Sequence, residues 1–291
     1  MPKKFEMRDK VALVTGGGGG IGRGIVLALA EAGAAVIVAE ADDDRADEIA
    51  QILQDLGTNH IVECIDVCQT QAIRDLKRVI TEKFGRLDIL VNNVGDFLGL
   101  VKRFEDFSDD DFDALYTINL RQKLIVTREM LPLLADHADG SVSSVINLTS
   151  AEGFRGLPNG AAYSSFMASI HAFSRALAVE LGPRGVRVNT LSVDTTATER
   201  VRPDLITKPE FADQVKHWFP LGRYGTVDDA SSCVMFLASE LSGWVTGQCL
   251  SMDGGSLAAG NHHRLPNGEW TNTPVLTENG LMPPPAGPPP D

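Results

Sequence analysis

Short apolar runs alternate with longer amphipathic stretches along most of this chain. Residues 10–15 (KVALVT) form the first run, and it ends at glycines, the pattern of a buried parallel strand. Residues 21–32 read as a helix with Gly33 as its stop. The same rhythm predicts strands at 35–39, 61–67, 87–91, 142–148, 186–192 and 248–252. It predicts helices at 44–56, 69–84, within 109–134, at 161–181 and at 227–238. Strand–helix alternation with short connections predicts an α/β fold. Its core is a Rossmann-type, doubly wound parallel sheet of about seven strands with helices on both faces.

Two segments interrupt the rhythm. Residues 194–224 carry no clear strand, and a long connection inside a compact domain reads as a substrate lid. His217, Trp218 and Phe219 end that segment, where aromatic groups can close over an apolar substrate. Residues 260–291 are rich in Asn, Thr and Gly and include PPPAGPPP, a composition that favours extended chain. The expected division is a single domain over 1–259 followed by a tail whose end hangs free or lies on a neighbouring subunit.

Charge narrows the partners. The net charge is -13 and the pI about 4.9, so phosphate backbones and anionic lipid are repelled. Nucleic acid and membrane are therefore not expected as partners. Residues 11–14 are too short for a signal-peptide core, and no apolar run reaches the ~20 residues of a membrane span. Cys64, Cys68, Cys233 and Cys249 lack metal spacing and read as thiols of a reducing, cytoplasmic compartment. His262 and His263 are an isolated pair in the tail, so no metal is expected.

The first strand runs straight into Thr15-Gly16-Gly17-Gly18-Gly19-Gly20-Ile21-Gly22 and then a helix. Without Cβ atoms the backbone can turn sharply and approach a pyrophosphate, and the helix start offers free N–H groups to it. On an acidic protein those uncharged donors matter more than usual. Glu40 ends the second strand, where a carboxylate accepts ribose hydroxyls and repels a 2′-phosphate; Ala41, Asp42, Asp43 and Asp44 follow it. NAD is therefore expected as cofactor over NADP.

Further motifs lie in order along the chain. They are Asp66-Val67, Asn92-Asn93-Val94-Gly95, Asn119 in INL, Ser150 in NLTS, Tyr163 13 residues later, and Arg187-Val188-Asn189. Pro220-Leu221-Gly222-Arg223, Thr246-Gly247-Gln248 and Asp253-Gly254-Gly255 complete the set. With the glycine string, this series resembles the short-chain dehydrogenase/reductase superfamily in its shorter single-domain form, over residues 8–256. The resemblance implies that Gly16, Gly19, Gly20, Ile21, Gly22, Glu40, Asp66, Val67, Asn93, Val94, Gly95, Tyr163 and Thr198 meet the cofactor. Asp66 would bond the adenine amino group. Ser150 would hold the substrate oxygen, Tyr163 would be the general acid/base, and Asn119 would bend its helix and anchor a proton relay. Relatives commonly assemble as homodimers or homotetramers, through the helices that here carry Asn119 and Tyr163.

Two positions depart from the family pattern. Met167 stands where the family has a lysine, one helical turn after Tyr163. That lysine would hold the nicotinamide ribose and lower the phenol's pKa; methionine does neither. Val193-Asp194 replaces the usual Pro-Gly. Of the groups able to restore a charge, Lys123 is expected to face solvent or a subunit interface, His171 a partner helix, and Arg155 the surface.

The expected function is an NAD(H)-dependent oxidoreductase acting on the CH–OH or ketone group of a small apolar substrate through an atypical Ser-Tyr-Met site. The alternatives are an enzyme of the same fold but non-redox class, such as an isomerase or lyase, and a catalytically silent NAD-binding protein.

Overall fold

The computed structural model describes residues 5–207, 209–265, 268, 270 and 271. Seven parallel strands form one sheet in the order β3-β2-β1-β4-β5-β6-β7. They are β1 (Val11–Thr15), β2 (Ala35–Glu40), β3 (His60–Cys64), β4 (Ile89–Asn92), β5 (Ser143–Ser150), β6 (Val186–Val193) and β7 (Cys249–Met252). Strand order reverses between β1 and β4, so the crevice for a ligand opens at their carboxyl ends.

Helices cover both faces, which is why the central strands read as unbroken apolar runs. Alternate residues of β1 divide between two cores. Ala12 and Val14 pack with Ile25, Val26 and Leu29 of α1 (Gly20–Glu31), whereas Val11 and Leu13 pack with Ile73 and Ile80 of α3 (Thr70–Lys83). Ile49 and Leu53 of α2 (Asp43–Asp55) join the α1 core, and the start of α2 is capped by the Asp42 carboxylate accepting from Arg45 N.

The stretch 109–134, expected to contain a long helix, is interrupted. It consists of α4 (Asp109–Tyr116), a π-helical turn (Thr117–Arg121) and α5 (Gln122–Leu134). The turn centres on Asn119, whose amide donates to Leu115 O at 3.0 Å and to Asp96 O at 2.8 Å. Side-chain capture of backbone groups loosens the helical ladder there. The helix after β5, α6 (Ala161–Leu181), matches its expected bounds.

Among its described residues the segment 194–224 has no strand, but it contains α7 (Pro203–Ile206), a 3₁₀ stretch (Pro209–Gln214) and α8 (Val215–Trp218). Beyond it come α9 (Val227–Ala238), β7 and α10 (Ser256–Ala259). The start of the tail departs from extended chain: His263–Arg264 pairs antiparallel with Trp270–Thr271, and the His263 ring lies 5.7 Å from that of Trp218. The proline run at 283–290 lies outside the described residues.

Candidate active site

The glycine loop joins β1 to α1 at the carboxyl edge of the sheet. Gly16 and Gly20 have φ of +63° and +51°, the region where side chains are disfavoured. At Gly22 a Cβ would lie 2.0 Å from Gly16 O, so the loop and the helix can pack only without one. The N-cap of α1 is Gly19, with no side-chain acceptor on its first N–H groups. That leaves the helix start available to an anion. Ile21 packs into the core beneath, and Thr198 of the 194–224 segment lies over Gly20.

Glu40 is buried at the end of β2, but its carboxylate is turned onto the protein itself. It accepts from Gly18 N at 2.9 Å, Ala41 N at 2.9 Å and Asp42 N at 3.2 Å. Sequence reasoning found no cation here; the structure supplies one. The first turn of α2 brings Arg45 back over the loop, its guanidinium within 3.5 Å of where a Gly19 Cβ would be. The helical return after Asp42 is the signal that points to Arg45.

Asp66 is exposed and accepts from Cys68 N at 2.8 Å, while Val67 beside it is buried. Asn93 acts as a tie between loops: its amide donates to Thr15 O at 3.0 Å and Gly16 O at 3.1 Å. The Val94 side chain rests on Gly16, and Gly95 approaches the Asn119 side chain.

Ser150, Tyr163 and Asn119 gather around the ends of β4 and β5. Ser150 closes β5, its hydroxyl accepting from Glu152 N at 3.2 Å. Tyr163 is 9% exposed and stacks on Phe97, ring centroids 3.9 Å apart. Burial pushes the phenol up to about 12; the Ser150 hydroxyl opposes this, while Glu152 and Asp96 reinforce it. Among the described residues no cation acts on the phenol. Met167, one turn along α6, is 3% exposed, and its carbonyl accepts from Thr149 Oγ at 2.9 Å.

Two expectations about charged groups, Lys123 and Arg155, are corrected. Lys123 is not on the surface: it is 1% exposed and donates to Asn92 O at 3.0 Å and Val94 O at 2.5 Å. It shares the inner stripe of α5 with Val126, Thr127 and Met130, a spacing that could have placed it. His171 lies against Phe154 and its Nδ1 pairs with Thr190 Oγ at 3.0 Å, with burial lowering its pKa. Arg155 is not free on the surface. It donates to Glu152 at 2.8 Å and to Asp194 at 3.0 Å, and Asp194 also accepts from Ser256 at 2.5 Å. Asp194 thus binds three segments together. Asp96 and Arg200, also missed, form an ion pair across the cleft mouth.

The proposed lid residues part company. Phe219 is buried and lies edge-on to Tyr224 at 5.5 Å, whereas Trp218 is 64% exposed. The His217 Nδ1 atom is buried without a partner. Trp218 and Phe219 line a cleft of about 290 Å³ with Thr195, Thr207 and Tyr224; Ser150 and Tyr163 do not line it. Among the described residues no group of His, Cys, Asp and Glu is placed to hold a metal, and no helix is long and apolar enough to cross a membrane.

A doubly wound sheet with a glycine turn at its switch point and a serine–tyrosine pair beside it defines a dinucleotide-type oxidoreductase scaffold. Residues 17–256 match the family described as enoyl-(acyl carrier protein) reductase. An uncharacterised oxidoreductase of Methylorubrum extorquens is 34% identical over 86% of this chain and 98% of its own. A 7α-hydroxysteroid dehydrogenase solved with NADH and 7-oxo glycochenodeoxycholic acid superposes with a TM-score of 0.79. It is 28% identical and covers 88% of this chain and 97% of that one. A short-chain dehydrogenase of Burkholderia cenocepacia, solved with NADP, gives 0.77 at 29% identity, covering 87% and 99%. The chain belongs to the short-chain dehydrogenase/reductase family of oxidoreductases.

Proposed function

We propose that this protein is an NAD(H)-dependent oxidoreductase that interconverts a ketone and a secondary alcohol on a small apolar substrate. The observation that carries this reading is the buried Tyr163 hydroxyl next to Ser150 at the end of β5. Ser150 would hold the substrate oxygen, and Tyr163 would hand it a proton. A phenol held near 12 stays protonated through the physiological range, so it is ready as an acid and poor as a base. This supports reduction as the easier direction at neutral pH.

The glycine loop fits a dinucleotide: a Cβ at Gly22 would fill the cradle, and the start of α1 lacks a side-chain cap. Gly16, Gly19, Gly20, Ile21 and Gly22 would hold its phosphates, Glu40 its adenosine ribose, and Asp66 with Val67 its adenine. Asn93, Val94, Gly95 and Thr198 would line the rest of its path. When bound, the nicotinamide supplies the hydride. Glu40 supports NAD, since a 2′-phosphate would meet its carboxylate; Arg45 over Gly19 is the group that a phosphate would need. Four free thiols support a reducing, cytoplasmic setting, and the outward Val179 of α6, 81% exposed, supports assembly through that helix.

A second reading, a non-redox enzyme of this fold or a silent dinucleotide-binding protein, is favoured by one observation: no cation acts on Tyr163. Absorbance at the NADH band, followed with a panel of ketones and with NADPH in parallel, separates the two. NADH consumption that disappears in Tyr163→Phe is the expected result. A flat trace for every ketone, from protein that binds NADH, transfers support to the second reading.

A further inference from the structure

Lys123 is a lysine enclosed on all sides, and no step above uses it. Its ammonium has two partners, the carbonyls of Asn92 and Val94. Those carbonyls belong to the turn that supports the glycine loop: Asn93 donates to Gly16 O, and Val94 rests on Gly16. We propose that Lys123 is a positioning residue that gains a proton when a dinucleotide binds, so that its charge beneath the Asn92–Gly95 turn appears together with the phosphates'. The inference rests on the dinucleotide reading above.

An ion in a dry interior is unfavourable unless an opposite charge compensates it. Lys123 has none. The polar side chains of this interior are the uncharged Asn92, Thr127, Asn147 and Ser174, joined in a chain of hydrogen bonds. On its own helix, Asn119 and Gln122 are also uncharged. Arg121 is engaged with Cys68 O and Thr70, and Asp96 pairs with Arg200. On α6 the neighbouring inward residues, Met167 and Ile170, are apolar. Burial alone lowers the Lys123 pKa, to about 7, so a modest field moves its protonation near neutral pH. The pyrophosphate of a dinucleotide brings two negative charges to the far side of the Gly16 turn. Attraction through a poorly screening interior favours the ammonium, and linkage requires that the ammonium equally favours the dinucleotide. The family's lysine charge is absent at Met167; in this account a lysine from the other helix puts charge into the same crevice from below.

Calorimetric titration of the whole protein with NADH tests this without turnover. Run at pH 8 in phosphate, HEPES and Tris, the slope of observed heat against buffer ionisation heat counts the protons exchanged. The expected result is uptake of about half a proton or more per site at pH 8, falling toward zero at pH 6, where the amine is already charged. Lys123→Met should bind NADH several-fold more weakly at pH 7 with no uptake at any pH. Lys123→Gln serves as a second variant should the first fail to fold, and the wild-type slope across pH 6 to 9 stands without either. Binding by the wild type with no proton uptake at pH 8 overturns the proposal, as does equal uptake by a folded variant. Absence of binding heat with millimolar NADH and NADPH overturns instead the dinucleotide reading, and this inference with it.

Discussion

The Arg155 guanidinium lies 3.0 Å from the Asp194 carboxylate, joining the loop after β5 to the loop after β6. Asp194 is 5% exposed at its side chain and Arg155 34%, so the pair is half in water. Through Glu152 the same guanidinium reaches the segment whose N–H donates to Ser150. Arg155→Ala removes the partner of a buried carboxylate and should lower stability by about 1–3 kcal/mol, between exposed and fully buried pairs. A raised KM and a lowered kcat should accompany it, since Ser150 loses its brace. Denaturant unfolding with steady-state kinetics checks this; unchanged values for both would show that the brace is idle.

The acid–base chemistry should betray itself in opposite pH profiles. With Tyr163 near 12, the phenolate that alcohol oxidation needs is scarce. Oxidation should therefore rise about tenfold per pH unit through pH 9, while ketone reduction stays flat. Initial rates in both directions across pH 6 to 10 are the measurement. An oxidation profile that levels off near pH 7 would mean that another group tunes the phenol.

A positive charge beside the phenol should move that profile. Met167→Lys places an ammonium one turn from Tyr163, and a nearby cation lowers a pKa by about 1–3 units. At pH 8 the oxidation rate should increase at least tenfold, with its rise shifted to lower pH. Circular dichroism should first establish that the buried position accepts lysine. Failure of a folded variant to gain activity would separate Tyr163 from the protein's chemistry.

Lys123 should carry a stability penalty with a definite pH dependence. Its pKa is about 7 in the fold against 10.5 for the free side chain, so the unfolded chain binds more protons between these values. The penalty is full below pH 7 and fades as pH rises toward 10.5. Lys123→Met should accordingly be more stable by about 1–4 kcal/mol at pH 6.5, with the gap narrowing by pH 9.5. Urea midpoints at the two pH values decide it. A variant that is less stable by the same margin at both would assign Lys123 a purely structural role in its carbonyl bonds.

Gly22→Ala tests the cradle. The added methyl would collide with Gly16 O, so loop and helix must separate, at a cost of about 1–3 kcal/mol or more. NADH affinity should fall at least tenfold while the far-ultraviolet spectrum is retained. Native affinity in this variant would place the dinucleotide elsewhere.

Apolar periodicity by itself determined the sheet, its helices and the glycine turn, because burial on both faces writes an uninterrupted pattern into β1, β2 and β4. Local chemistry likewise determined the bounds of α6 and α9, and the resemblance to a known family brought Ser150 and Tyr163 forward. Only the tertiary structure decided which charges meet. Arg155 and Asp194 are 39 positions apart and pair through loop closure, and Arg45 reaches Gly19 through the return of α2. The Lys123 ammonium lies inside because α5 turns that face to β4. Hydrophobic pattern is a property of neighbours along the chain and survives in the sequence. The partner of a charge depends on distances across the fold, and these exist only once the chain has packed.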